Sequence, residues 1–233
     1  MLIYDKNEYR VIRTNTLRCS CYIVSYNEKN VLIDTSVKAE SKAIVKSLKK
    51  YKIDKLEAIF LTHSHTDHAG NARYLSDSYN CSVFIYEKGL NNIKNGICSI
   101  PNGVNFLGKA ICFLSNRSPF NNFTEFDACE KAEALTDDTV KSYLGTDAKL
   151  AYTPGHTQDS VSIIIDSKIV IMGDCAVNFF GNKYPPFADD EKLLKNTWGE
   201  LIKINAELYC PSHGKPFGYS EFKKANERLI KYK

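Results

Sequence analysis

The sequence predicts a layered α/β fold in a single domain, on three observations. Strand-like runs alternate with helix-like ones along most of its 233 residues. That length buries a sizeable core without disulfide staples. No apolar stretch approaches the roughly 18 residues of a membrane helix. Hydrophobic residues make up 43% and charged residues 25%, the balance of a globular chain rather than a fibre or a disordered one.

Residues 9–13 and 19–26 are rich in β-branched and aromatic side chains, and Asn30–Asp34 is a short buried-strand pattern. Ala43, Ile44, Leu48 and Tyr51 then recur at helical spacing, with lysines filling the other face. Leu56–Thr62 is a strand, Asp67 to about Ser78 a helix, and Ser82–Tyr86 a strand again. Residues 87–148 mix Asn, Gly, Ser and Pro with short apolar pieces, Val104–Leu107 and Ile111–Leu114. This segment reads as an insertion, either a lid or edge loops with a helix. Leu150–Thr153, Val161–Asp166 and Lys168–Met172 are strands, the last ending in Gly173-Asp174. Glu191–Ile204 is an amphipathic helix, Ala206–Cys210 a strand and Glu221–Tyr232 a closing helix.

Thirty-one basic against 27 acidic residues leave a net charge of only +4. That is too weak and too dispersed to indicate a nucleic-acid partner, and no membrane partner is expected. The N-terminus lacks a basic segment followed by an apolar stretch and a cleavage site, so it does not read as a signal peptide. The eight cysteines are spread through a chain that needs no staples; reduced thiols and a cytoplasmic location are expected.

The five histidines are the most informative feature. Three lie in Thr62-His63-Ser64-His65-Thr66-Asp67-His68, the fourth in Pro154-Gly155-His156 and the fifth in Ser212-His213-Gly214. Each follows a strand-like run, on loops where a rigid scaffold places reactive groups. In an extended loop, residues two apart point the same way, so His63 and His65 can face one metal ion. Asp67 and His68 then begin a helix, and the change of direction turns them toward a second position. A lone histidine in a loop is ordinarily a surface or capping residue, and a lone Asp67 or Asp174 a cap or turn residue. Three histidines and an aspartate within six positions point instead to metal. Imidazole and carboxylate suit zinc, and iron, manganese or cobalt also accept them.

His63-x-His65-x-Asp67-His68, followed in order by His156, Asp174 and His213, resembles the metallo-β-lactamase-fold hydrolases, in particular their glyoxalase II and lactonase-like branch. The resemblance spans nearly the whole chain. It implies a four-layer αββα sandwich, two mixed sheets with helices on both outer faces. It implies two divalent ions, zinc first with iron or manganese as alternatives, and no other bound cofactor. His63, His65 and His156 would hold one ion, Asp67, His68 and His213 the second, and Asp174 would bridge them. The implied activity is hydrolysis of a small-molecule ester, lactone or thioester by a metal-bridging hydroxide, with Asp67 orienting it and passing a proton. The alternatives are a β-lactamase-like amidase and a non-catalytic metal-binding or sensor protein.

Asp174 follows Gly173 where typical β-lactamases place Cys or Ser, and Cys175, one step along, reads as a buried thiol. Only one helix follows His213, which disfavours a classical glyoxalase II. Phe113, Phe120, Phe123 and Phe126 form either an apolar wall at the site or the packing of the inserted segment. Tyr184, in the aromatic stretch Phe179–Phe187, is the candidate to hydrogen-bond a substrate carbonyl, the alternative being loop packing. Oligomeric state is not legible.

Overall fold

In the computed structural model, residues 1–6, 8–99, 102–104, 108–109 and 124–231 are described. They cluster into two compact units. The first comprises Met1–Ser99 and Thr124–Asp147, the second Ile100–Phe123 and Ala148–Lys233.

The first unit is built on a mixed sheet. Its strands are β1 (Leu2–Lys6), β2 (Tyr9–Arg13), β3 (Tyr22–Tyr26), β4 (Lys29–Ile33), β5 (Ala58–Leu61), β6 (Ser82–Ile85) and β7 (Glu133–Ala134), in that spatial order among the described residues. β1 to β4 pair antiparallel, whereas β4 to β7 pair parallel. The switch follows from the connections. Two residues separate β1 from β2 and β3 from β4, and the short loop 14–21 joins β2 to β3, while β4 and β5 are separated by helix α1 (Ser41–Lys50), as a parallel crossover requires. β5 is buried at every residue, the pattern of a parallel strand covered on both faces.

α1 buries Ile44, Ser47 and Leu48 and carries Lys49 and Lys50 in its last turn, where the helix dipole favours cations. Helices α2 (Thr66–Ala69) and α3 (Ala72–Tyr79) replace the single helix expected from Asp67 to Ser78. Asn71 sits between them, and its side-chain amide donates to the carbonyls of Thr35 and Val37, both at 2.7 Å. That tether to the β4 loop accounts for the break. α4 (Leu90–Asn95) and α5 (Asp137–Leu144) complete the unit, and Thr136 caps α5 by accepting from the Thr139 amide at 3.1 Å. Phe126 packs partly buried against this unit's apolar core, which settles it as a packing residue. Phe113, Phe120 and Phe123 lie outside the described residues, as does most of Val104–Leu114.

The second unit holds β8 (Ala148–Tyr152), β9 (Val161–Ile165), β10 (Ile169–Asn178) and β11 (Leu208–Gly214), in spatial order β11-β10-β9-β8. β10 pairs antiparallel with β9 and parallel with β11. Here the structure corrects two sequence boundaries. β10 does not stop at Met172 but runs through Asp174 to Asn178, and β11 runs past Cys210 through His213. Gly173 takes φ +53° and the register shifts on either side of it, so the strand survives the kink as a bulge. Helices α6 (Glu191–Lys203) and α7 (Tyr219–Lys231) belong to this unit. Asp190 caps α6 by accepting from the Leu193 amide at 2.8 Å. The core gathers around Trp198, fully buried, whose indole N–H donates to the Cys175 carbonyl at 2.6 Å. Phe222 lies 4.8 Å from Trp198 and 4.7 Å from Tyr209, ring to ring.

Candidate metal centre

In the first unit the site grows from the ends of two neighbouring strands. β4 ends at Ile33 and delivers Asp34, which adopts φ +61°, a conformation that Asp tolerates better than most residues. β5 ends at Leu61 and delivers Thr62 and His63. The parallel register of β4 and β5 brings these ends together. The Asp34 carboxylate accepts from the Thr62 amide at 2.8 Å, from the Thr62 hydroxyl at 2.9 Å and from His68 Nδ1 at 2.9 Å. Asp34 and His68 are both fully buried, so this carboxylate is stable only because those donors replace water. The bond also assigns the tautomer: with Nδ1–H given to Asp34, the lone pair of His68 is on Nε2.

His68 is held from behind as well. Its carbonyl accepts from the Thr35 amide and the Thr35 hydroxyl, each at 2.7 Å. His63 Nε2 lies 3.0 Å from His65 Nδ1, and the His63 ring centroid is 3.9 Å from that of His68. Two ligand atoms each about 2.05 Å from a tetrahedral ion stand about 3.3 Å apart, so the His63–His65 spacing fits adjacent ligands of one ion. Asp67, in the first turn of α2, brings Oδ1 to 3.9 Å from His68 Nε2. Cys19 reaches the other side of His68, with Sγ 3.7 Å from Nδ1. Burial, then Cys21, pushes that thiol well up.

The second unit assembles a matching set. The loop after β8 turns at Gly155, φ +129°, and presents His156. His156 Nδ1 is 3.0 Å from the Phe187 carbonyl, which fixes Nδ1 as the donor and leaves the lone pair on Nε2. Asp174 Oδ2 lies 3.2 Å from His213 Nε2 and 3.6 Å from His156 Nε2, again the separations of ligand atoms sharing an ion. The Gly173 bulge aims Asp174, and the pairing of Val177 with His213 sets the position of β11. Cys175 is a buried thiol, as expected, donating to the Thr153 carbonyl at 3.2 Å; burial pushes it up to about 12.

Tyr184 has a packing environment. Its ring meets Trp198 edge-on at 5.3 Å, and burial, with Glu191 adding, raises its hydroxyl above the ordinary range. Asp34 is the residue that sequence reading missed as functional. Its signal was present, an aspartate ending an apolar strand run, but nothing local ties residue 34 to residue 68.

The chain matches the metallo-beta-lactamase superfamily over residues 14–213. It is 24% identical over 215 residues to a probable metallo-hydrolase of Methanocaldococcus jannaschii, covering 91% of this chain and 88% of that one. A probable metallo-hydrolase of Bacillus subtilis is 23% identical over 195 residues, 82% of this chain and 78% of its own. Among solved structures, an archaeal superfamily member from Sulfolobus tokodaii superposes with TM-score 0.69 at 18% identity, covering 97% of this chain and 87% of that one. A family member from Thermus thermophilus gives TM-score 0.69 at 17% identity, covering 97% and 79%. The α/β fold with two mixed sheets and flanking helices is the one those structures share. The histidine-rich loop, the buried aspartates Asp34 and Asp174 and this match along the chain lead to one conclusion: the protein belongs to the metallo-beta-lactamase superfamily.

Proposed function

We propose that this metal-dependent hydrolase is binuclear and cleaves a small ester, lactone or thioester. The observation that carries the reading is the buried Asp34–His68 pair beside His63 and His65. It is a set of imidazoles with ligand-like spacing, the tautomer of His68 fixed by Asp34. On the family motif, His63, His65 and His156 would hold one ion and Asp67, His68 and His213 the other, with Asp174 available to both. The family match supports joining the two sets, because the motif occurs here in full and in order.

When bound, the ions supply a nucleophilic water at neutral pH and an electrophile for the carbonyl. The chain's residues do the rest. Asp34 and the Phe187 carbonyl hold His68 and His156 in the ligating tautomer. Asp67, whose carboxylate is about one third exposed, would orient the nucleophile and hand a proton to the leaving group. The Tyr184 ring packs edge-on against Trp198, and its hydroxyl is kept as the candidate to hydrogen-bond the substrate carbonyl. Zinc is the proposed metal, on the preference of imidazole and carboxylate donors.

The test is elemental analysis of protein purified without chelator, together with hydrolysis of a panel of lactones, thioesters, esters and β-lactams. About two ions per chain and a metal-dependent rate on one of the first three classes are expected. Asp67→Ala should stay folded and lose hydrolysis by about 10³-fold or more. Failure to take up metal, or full activity in that variant, would overturn the reading; turnover confined to β-lactams would make it an amidase.

A further inference from the structure

The turn that follows β10 carries two costs that its own stability does not explain. Phe179 N–H donates to the Asn182 carbonyl at 3.1 Å, and Asn182 N–H to the Phe179 carbonyl at 2.8 Å. The two residues enclosed, Phe180 and Gly181, have φ +50° and +84°. A two-residue turn with both central φ positive is the geometry in which Asn-Gly is favoured. Phenylalanine at the first position bears steric strain of roughly 1 kcal/mol or more. Its ring is also fully exposed, at 110% relative accessibility, and Phe179 beside it is 45% exposed. Strain and an exposed apolar pair at one spot mark a surface kept for contact.

The turn is anchored at its root. Val177 N–H donates to the Lys183 carbonyl at 2.9 Å, Lys183 Nζ to Asn178 Oδ1 at 2.8 Å, and Asn178 Nδ2 to the Lys215 carbonyl at 2.8 Å. Lys183 Nζ is also 3.0 Å from Glu221. The aromatic pair is therefore tied to β11, the strand that carries His213. The Phe179 ring centroid stands 6.0 Å from that of His213, tilted by 35°. His213 in turn lies 3.2 Å from Asp174, so the apolar surface begins where the ligand atoms of this unit end.

We infer that Phe179 and Phe180 form an apolar lip that binds the hydrocarbon chain of the acyl group, so the substrate is an acyl compound with a medium-length apolar chain. This rests on the hydrolase reading above, which places the carboxyl carbon at the ligands. Phe179 meets the chain first and Phe180 beyond it. Strained aromatic exposure is then the cost of a preformed contact that needs no rearrangement on binding.

The experiment titrates zinc-loaded protein with acetate, butanoate, hexanoate and octanoate by calorimetry, and measures cleavage of the matching p-nitrophenyl esters in parallel. Affinity should rise about threefold per methylene beyond butanoate. In Phe179→Ala/Phe180→Asn that slope should flatten, so that octanoate binds about tenfold or more weakly than to the wild type. Phe180→Asn alone should melt a few degrees higher, because Asn takes positive φ more readily. It should still lose part of the slope, which a merely structural residue would not. A flat slope in the wild type, or an unchanged slope in the double variant, overturns the inference. Metal content and acetyl-ester cleavage report separately on the hydrolase reading. If those are intact and the slope is flat, the lip alone is refuted. If they fail while the slope survives, the hydrolase reading falls and the apolar surface stands.

Discussion

Asp34 shows how one buried side chain can set the tautomer of an imidazole. Its carboxylate accepts from Thr62 and from His68 Nδ1, so it sets which imidazole nitrogen is available. Asparagine has nearly the same shape and tolerates the positive φ, and its one oxygen can still accept from Thr62. Its amide nitrogen, however, would face His68 Nδ1–H, donor against donor. Asp34→Asn is therefore expected to lower metal affinity by about 10- to 100-fold while the protein stays folded. A competition titration against a chromophoric chelator measures this; wild-type affinity in the variant would remove Asp34 from the site. His156 uses a backbone carbonyl, that of Phe187, for the same purpose, which no side-chain substitution deletes.

At the scale of elements, the loops that leave the strands do the positioning, and their geometry depends on particular glycines. The loop from β8 folds back at Gly155 against the start of α6. A Cβ there would stand 2.4 Å from the Leu194 backbone nitrogen, with φ at +129°. The same junction is stitched by Thr197 donating to the Pro154 carbonyl at 2.6 Å, and by the Asp189 and Asp190 amides donating to the His156 and Gly155 carbonyls, each at 3.0 Å. Gly155→Ala should therefore cost about 3 kcal/mol or more, since neither the backbone strain nor the contact can relax cheaply. Denaturant unfolding checks it, and a loss below about 1 kcal/mol would show that the loop repacks. The helices needed less help: α1, α5 and α6 follow from apolar periodicity and, for the last two, from Thr136 and Asp190 as caps.

For the molecule as a whole, pH sets a window of stability through groups folded away from water. Cys175 is fully buried, and its thiol is pushed from 9.0 to about 12. The folded protein holds this proton while the unfolded chain releases it above about pH 9. The stabilisation is therefore complete below pH 9 and lost as pH rises from about 9 to 12, by up to about 4 kcal/mol. Urea melts between pH 8 and 11 should show the decline, and Cys175→Ser should flatten it relative to wild type. Identical slopes for the two proteins would show that the thiol ionises freely.

The class of fold and the candidates for the site were legible along the chain, because both are written in local terms. Strand and helix periods, histidines at strand ends and an Asp after Gly173 need only neighbours in sequence. The ends of β10 and β11 were not legible, since a bulge at Gly173 lets pairing resume after a kink that reads locally as a stop. Nor was the packing of Tyr184 against Trp198, 14 residues on. The sequence by itself thus determined the α/β class and the order of the candidate histidines and aspartates. The tertiary structure alone decided which nitrogen His68 and His156 present and where the exposed aromatic turn stands. Tautomers are set by hydrogen bonds between residues such as Asp34 and His68, and such partners meet only through strand register.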